Sequence, residues 1–157
     1  MDGAVVEQGE SPVHLTHEPS SSVTSASCSL VEIKSPLFFL TVRLSNASGQ
    51  QVGYNRYLFA SGENMAAIFE LQKAVVEIKK EQQIGEDWVS VHNPSDRTAF
   101  FIWLERDGEP SEHEFASFTE NYFCLLPGET QELEVHFSGP RIPYRVGGWN
   151  VENKSIR

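Results

Sequence analysis

Hydrophobic and polar residues alternate along much of the chain, as they do in a β-strand that buries one of its two faces. The clearest example is segment 130–137, TQELEVHF, in which apolar residues from Leu133 to Phe137 are separated by polar ones. The same alternation occurs in segments 38–44, 73–79 and 88–92. These segments predict half-buried strands and an all-β fold.

Segment 98–104, TAFFIWL, is apolar on both faces, which predicts a deeply buried central strand. Residues 46–49, NASG, have turn chemistry and join segment 38–44 to a β-rich run at 51–59, which predicts a hairpin. Further turn signals separate the later strands at 93–96, 107–110 and 127–128. This short, regular spacing is typical of an antiparallel β-sandwich.

Composition restricts the possible partners. The chain has 157 residues, a length that fits one domain or two sandwich units of which one is incomplete. Its net charge of −10 repels phosphate backbones, so nucleic acid is not an expected partner. The longest apolar run, 36–40, is too short to span a bilayer, and no signal peptide is recognisable at the start. We expect a soluble chain, and the sequence does not indicate its cellular compartment.

Two cysteines occur, Cys28 and Cys124, and both lie in segments that favour strands. We interpret them as two small buried thiols, and a disulfide between them is the alternative.

Candidate catalytic chemistry is sparse. Most acidic residues lie in turns or at outward-facing strand positions, where solvated carboxylates are normal. His113 is flanked by two glutamates, but neighbours in a strand point to opposite faces. His14 and His17 lack the further ligands that a zinc site needs. We therefore predict no catalytic residue, no metal site and no cofactor.

Aromatic residues are the other material from which a binding site is made. Trp88, Phe101 and Trp103 lie in apolar strands, and we interpret them as core residues. Tyr144 and Trp149 lie in a Gly- and Pro-rich C-terminal stretch, and we expect them to be exposed. They are the candidates for a glycan-binding platform.

Segment 118–129, FTENYFCLLPGE, resembles a segment of the form (Ser/Thr)-(Asp/Glu)-Asn-(Tyr/Phe)-Phe-x-Leu-Leu-Pro-Gly-Glu in β-mannosidase-like members of glycoside hydrolase family 2. There it lies in the last immunoglobulin-like domain. A second stretch is similar to the end of the preceding sandwich domain in the same enzymes: FLTVRL at 39–44, Gly49 and NRYLF at 55–59.

The resemblance implies that the catalytic glutamates lie in a (β/α)8 barrel upstream of these domains. This chain would then be a non-catalytic accessory region, a fragment without the barrel, of an enzyme that hydrolyses β-linked mannosides or related glycosides. The catalytic barrel is the expected partner, and Glu120 and Asn121 are the residues expected to contact it. The alternative is an autonomous β-sandwich module that binds a glycan or a protein.

The same resemblance predicts the domain organisation. Residues 1–60 would form the C-terminal part of a truncated immunoglobulin-like sandwich, and 61–72 a linker. Residues 73–140 would form the complete C-terminal immunoglobulin-like sandwich, and 141–157 a tail.

Overall fold

A computed structural model describes residues 2–13, 33–62, 65–108, 115–138 and 143–156. These residues form two compact units, Ala4–Phe69 and Glu70–Arg157 with Met1–Gly3. Their strands, in chain order, are β1 Leu37–Ser45, β2 Gln51–Ala60, β3 Glu77–Gln82, β4 Glu86–His92, β5 Ala99–Arg106, β6 Ala116–Phe118, β7 Phe123–Leu125, β8 Thr130–Phe137, β9 Tyr144–Gly147 and β10 Lys154–Ile156.

The first unit contains the predicted hairpin, in which β1 and β2 pair antiparallel. Asn46 organises its turn, since its side-chain oxygen accepts hydrogen bonds from the backbone N–H groups of Ser48 and Gln50. Gly49 takes a φ of 82°, which suits glycine. β1 forms where the alternation predicted a strand. Leu40 and Val42, on the face predicted to be buried, are exposed. In the described part of this unit, two strands make up the whole sheet.

The linker predicted over 61–72 contains a short element of secondary structure. This element is a 3₁₀ helix over Ala66–Glu70, at the boundary between the two units. In the described part of the chain, no helix has the length and hydrophobicity needed to cross a membrane.

The second unit is a sandwich of two four-stranded sheets. One sheet has the strand order β10-β9-β5-β7 and the other β3-β4-β8-β6, and all of these pairs are antiparallel. The alternating residues of β4 and β8 meet those of β5 and β9 in the core, which includes Val89, Val91, Ile102, Leu104, Leu133, Val135 and Val146. The prediction of an all-β antiparallel sandwich is confirmed.

Strand β5 departs from the predicted regular strand. Its pairing with β7 shifts register between Ala99 and Ile102, and Phe101 within this bulge has a φ of 47°. Phe100 is fully buried, whereas Phe101 is 43% exposed, so the interpretation of Phe101 as a core residue is wrong. Trp103 is half-buried, as is Trp88 on β4.

The C-terminal residues belong to the sandwich, so the prediction of a tail over 141–157 is wrong for its described part. Strand β9 pairs with β5, and β10 pairs with β9. Asn150 is buried and donates hydrogen bonds to the carbonyls of Thr98 and Gln72 while accepting one from the Phe100 N–H. The C-terminal segment therefore holds the start of β5 and the residues that precede β3.

Candidate functional site

Glu120 and Asn121, predicted to contact a catalytic domain, have different environments. The Asn121 side chain accepts a hydrogen bond from the backbone N–H of Leu104 and donates one to the Leu104 carbonyl, both at 2.9 Å. The side-chain amide thus makes the two hydrogen bonds to Leu104 that the backbone of a neighbouring strand would make. Glu120 is exposed. Asn121 has a structural role in the sandwich, and Glu120 stays a candidate for a contact.

The turn after β7 also consists of residues that stabilise the sandwich. Glu129 accepts a hydrogen bond from the Leu126 N–H at 2.8 Å through its carboxylate. Gly128, with a φ of 77°, donates its N–H to the carbonyl of Asn93. Asn93 is fully buried, and its side chain donates to the carbonyl of Leu125. The residues on which the family resemblance rests therefore make the sandwich's own hydrogen bonds.

Tyr144 and Trp149, predicted as an exposed pair, are not alike. Tyr144 is 2% exposed, its ring meets that of Phe118 edge to face, and the Lys80 ammonium lies 5.6 Å from its centroid. The expectation that Tyr144 is exposed is wrong because the residue begins β9 with its side chain toward the core. Trp149 is 51% exposed, which leaves it available for binding.

Three exposed aromatic residues lie on neighbouring chain segments around β5. Phe101 lies on β5, and Tyr122, 67% exposed, immediately precedes the paired strand β7. On the other side of β5, the Trp149 N–H bonds to the carbonyl of Phe100. We call Phe101, Tyr122 and Trp149 the β5 aromatic surface. Phe101 and Tyr122 are the described non-glycine residues with positive φ, at 47° and 58°. Such conformations cluster at functional positions.

The outer face of the other sheet carries a cluster of two carboxylates and an imidazole. Glu86 on β4 lies directly opposite His136 on β8, and Glu134 is two residues from His136 on the same face. His136 Nδ1 lies 3.5 Å from Glu86 Oε2, and its Nε2 lies 3.2 Å from Glu134 Oε2. Local sequence patterns do not reveal this cluster, because Glu86 and His136 meet only through the β4–β8 register.

On the same sheet face, a depression of about 260 Å³ is lined by Glu77, Lys79, Ser90, His92 and Thr130. Ligand pockets usually enclose roughly 300–1,000 Å³ and are mainly apolar. This shallow polar depression lacks those properties.

Several earlier candidates fall outside the described residues, namely Cys28, His14, His17 and His113. Cys124 is half-buried, and the backbone N–H of Phe101 points to its sulfur at 3.5 Å. The interpretation of both cysteines as buried thiols, with a disulfide as the alternative, stays a prediction, since Cys28 lies outside the described residues.

Residues 54–151 match the sequence profile of a family described as the exo-beta-D-glucosaminidase Ig-fold domain. No curated protein matches the sequence significantly. Among solved structures, the exo-chitosanase CsxA of Amycolatopsis orientalis has the same fold, with a TM-score of 0.62 and 17% sequence identity. The match covers 83% of this chain and 19% of that chain, so this chain spans about a fifth of that protein's length. The predicted immunoglobulin-like fold is confirmed.

Proposed function

The chain belongs to the exo-beta-D-glucosaminidase Ig-fold domain family, and from that membership we propose that it serves as a non-catalytic accessory sandwich of a glycoside hydrolase. The match over residues 54–151 carries the proposal. It includes most of β2 and every strand from β3 to β9, so it covers nearly the whole sandwich and not an isolated motif.

The proposed substrate of the parent enzyme is a β-linked glucosamine polymer. The family description names a glucosaminidase, and the solved structure with the same fold is named an exo-chitosanase. β-Linked mannosides, predicted from segment 118–129, are the alternative. That segment carries no information about the sugar, because Asn121 and Glu129 are occupied by hydrogen bonds within the sandwich.

The carboxylates of the described residues support a non-catalytic role. Glycoside hydrolysis uses two carboxyl groups about 5–9.5 Å apart on either side of the sugar. The depression on the β3–β4–β8 face has one carboxylate in its lining, that of Glu77. Glu86 and Glu134 are close together but lie on the outer face of a sheet, with His136 between them.

The β5 aromatic surface is the proposed contact with the catalytic domain. Exposed aromatic side chains that are grouped together mark interaction surfaces, and aromatic residues are enriched at protein interfaces. Glu120 is exposed two residues before Tyr122, which extends the surface with a charged edge. The strained φ angles of Phe101 and Tyr122 cost stability, and an interface function accounts for their presence.

Immunoprecipitation tests the proposal. An antibody against residues 46–50, the exposed turn of the β1–β2 hairpin, is applied to an extract of cells that express the chain, and the precipitate is assayed on aryl β-glucosaminides and aryl β-mannosides. We expect release of the aryl group from the glucosaminide. A precipitate that contains the chain and hydrolyses neither substrate would contradict the proposal. Activity on the mannoside alone would replace the glucosamine polymer with β-linked mannosides as the substrate of the parent enzyme.

The purified chain provides the complementary assay. We expect no release from either aryl glycoside, because the catalytic groups are proposed to lie in another domain. Hydrolysis by the isolated chain that is abolished by Glu134→Gln would show that the chain is itself an enzyme.

A second candidate function is autonomous glycan binding, which the exposure of Tyr122 and Trp149 favours. Titration with glucosamine oligosaccharides tests it, with Trp149→Ala as the variant and Phe69→Ala, another exposed aromatic in the other unit, as the matched control. Binding that is lost in Trp149→Ala and kept in Phe69→Ala would favour this candidate.

A further inference from the structure

The cluster of Glu86, Glu134 and His136 has the composition of a metal site. Each residue offers one ligand atom, and the three atoms lie within 4.8 Å of one another. We propose that these three side chains bind a divalent transition-metal ion, with Zn²⁺ as the ion that fits the donor set. This site is separate from the accessory role proposed above.

The strand register explains why the three side chains converge. Glu86 and His136 are directly opposite partners of the antiparallel β4–β8 pair, and Trp88 is opposite Glu134. Side chains that are directly opposite, or two apart on one strand, share a face of the sheet. The cluster is therefore fixed by the ladder between the two central strands of the sheet, β4 and β8, and does not depend on a loop.

The ligand types favour zinc over magnesium or calcium. Zn²⁺ binds imidazole nitrogen and carboxylate oxygen at roughly 2.0–2.2 Å, which places tetrahedral ligands about 3.3–3.6 Å apart. Glu86 and Glu134 face different ring nitrogens of His136, at 3.5 and 3.2 Å, and only one of these nitrogens can bind the ion. One ligand atom from each residue lies within 4.8 Å of the others, so side-chain rotation has to bring them to the zinc spacing. Calcium and magnesium prefer sites made of oxygen ligands alone. With three protein ligands, the fourth position would hold water.

Neighbouring groups orient two of the ligands. The Trp88 indole N–H points to Glu86 Oε1 at 3.3 Å, which turns the other carboxylate oxygen toward His136. Thr119 fixes the backbone of Glu134 from both sides, since its N–H bonds to the Glu134 carbonyl and its hydroxyl accepts the Glu134 N–H. Hydrogen bonds to a ligand carboxylate, such as that from Trp88 to Glu86, are a regular part of metal sites and raise their affinity.

Accessibility also fits a metal site that exchanges with solution. The side chains of Glu86, Glu134 and His136 are 30%, 32% and 45% exposed, so an ion can reach them without opening the fold. The net charge of −10 further attracts cations to the surface of the chain.

Calorimetric titration of the full chain with Zn²⁺ tests the proposal. His136→Ala and Glu134→Gln each remove one ligand, and we expect either to weaken Zn²⁺ binding at least tenfold. The matched control is His92→Ala, which removes another imidazole from β4 on the same sheet and leaves the cluster intact; its ring lies 2.9 Å from Thr130 Oγ1. We expect this control to bind Zn²⁺ within twofold of the wild type. Equal Zn²⁺ affinity in wild type, His136→Ala and Glu134→Gln would overturn the proposal.

A second measurement uses the unmodified chain and so does not depend on the folding of a variant. Imidazole nitrogen signals are followed by NMR as Zn²⁺ is added. We expect the ring signals of His136 to shift first and to saturate at one equivalent. If another histidine saturates first while His136 is unchanged, zinc binds elsewhere and the assignment of this cluster is wrong.

Discussion

The Asn121 side chain forms two 2.9 Å hydrogen bonds with the backbone of Leu104, one to its N–H and one to its carbonyl. Leu104 is 1% exposed, so both backbone groups are shielded from water. Buried backbone groups that lose their partners cost about 1–3 kcal/mol each. Asn121, which the sequence predicted to contact another domain, thus stabilises strand β5 of its own sandwich.

Asn121→Ala should therefore lower the free energy of unfolding by about 2–4 kcal/mol, measured by urea denaturation. Asn121→Asp should also destabilise, because a carboxylate accepts the Leu104 N–H but cannot donate to the Leu104 carbonyl. The neighbouring exposed residue provides the control, and Glu120→Ala should change the stability by no more than about 0.5 kcal/mol. Equal stabilities of Asn121→Ala and Glu120→Ala would refute the structural role.

Backbone strain at Phe101 gives a second prediction. Phe101→Ala and Phe101→Gly both remove the ring that contacts Phe100, but only glycine adopts a φ of 47° without steric cost. We expect Phe101→Gly to be more stable than Phe101→Ala by about 1 kcal/mol in urea denaturation. At an ordinary strand position, glycine is less stable than alanine. If Phe101→Ala is more stable than Phe101→Gly, the backbone strain at this position is absent.

Sequence patterns predicted those parts of the fold that depend on local alternation. Segment 130–137 forms β8, with Leu133 and Val135 buried as predicted. The same reasoning could not locate the bulge at Phe101, because a register shift depends on the partner strand β7. It also missed β9, whose four residues are too few to show a convincing alternation between the glycines and prolines nearby.

The candidate sites were harder to predict than the strands. Sequence reasoning placed Tyr144 at the surface because of its neighbours, although its own position at the start of β9 buries it. It could not identify the cluster proposed here as a metal site, because Glu86 and His136 are 50 positions apart and become partners only in the folded sheet. Exposure and long-range pairing are tertiary properties, and a pattern read over ten residues does not contain them.

Tyr144 and Trp149 offer a third prediction, since the first is buried and the second exposed. Tyr144→Ala removes an aromatic ring from the core and should lower the free energy of unfolding by about 3–5 kcal/mol, as other buried aromatic-to-alanine changes do. Trp149→Ala should cost about 1 kcal/mol or less. Thermal denaturation of both variants measures the difference. Comparable losses would mean that Trp149 is as much a core residue as Tyr144.

The ion pair between Lys73 and Glu152 gives a prediction about pH. Lys73 Nζ lies 2.8 Å from Glu152 Oε1. Their hydrogen bond first, and their charge attraction second, lower the pKa of Glu152 below its usual value of 4.5 and raise the pKa of Lys73 above 10.5. Because the folded-state pKa of Glu152 is depressed, the pair stabilises the fold above pH 4.5. That contribution disappears as the pH falls through the lowered value.

Lys73→Met should raise the pKa of Glu152 toward its usual value, as followed by carboxyl ¹³C NMR during an acid titration. Lys154, which lowers the pKa of Glu152 by a smaller charge effect, provides a graded control, so Lys154→Met should raise the pKa less than Lys73→Met. Both groups of the pair are fully exposed, so salt should weaken the effect in the wild type. If Glu152 titrates identically in wild type and Lys73→Met, the two side chains do not form this pair in solution.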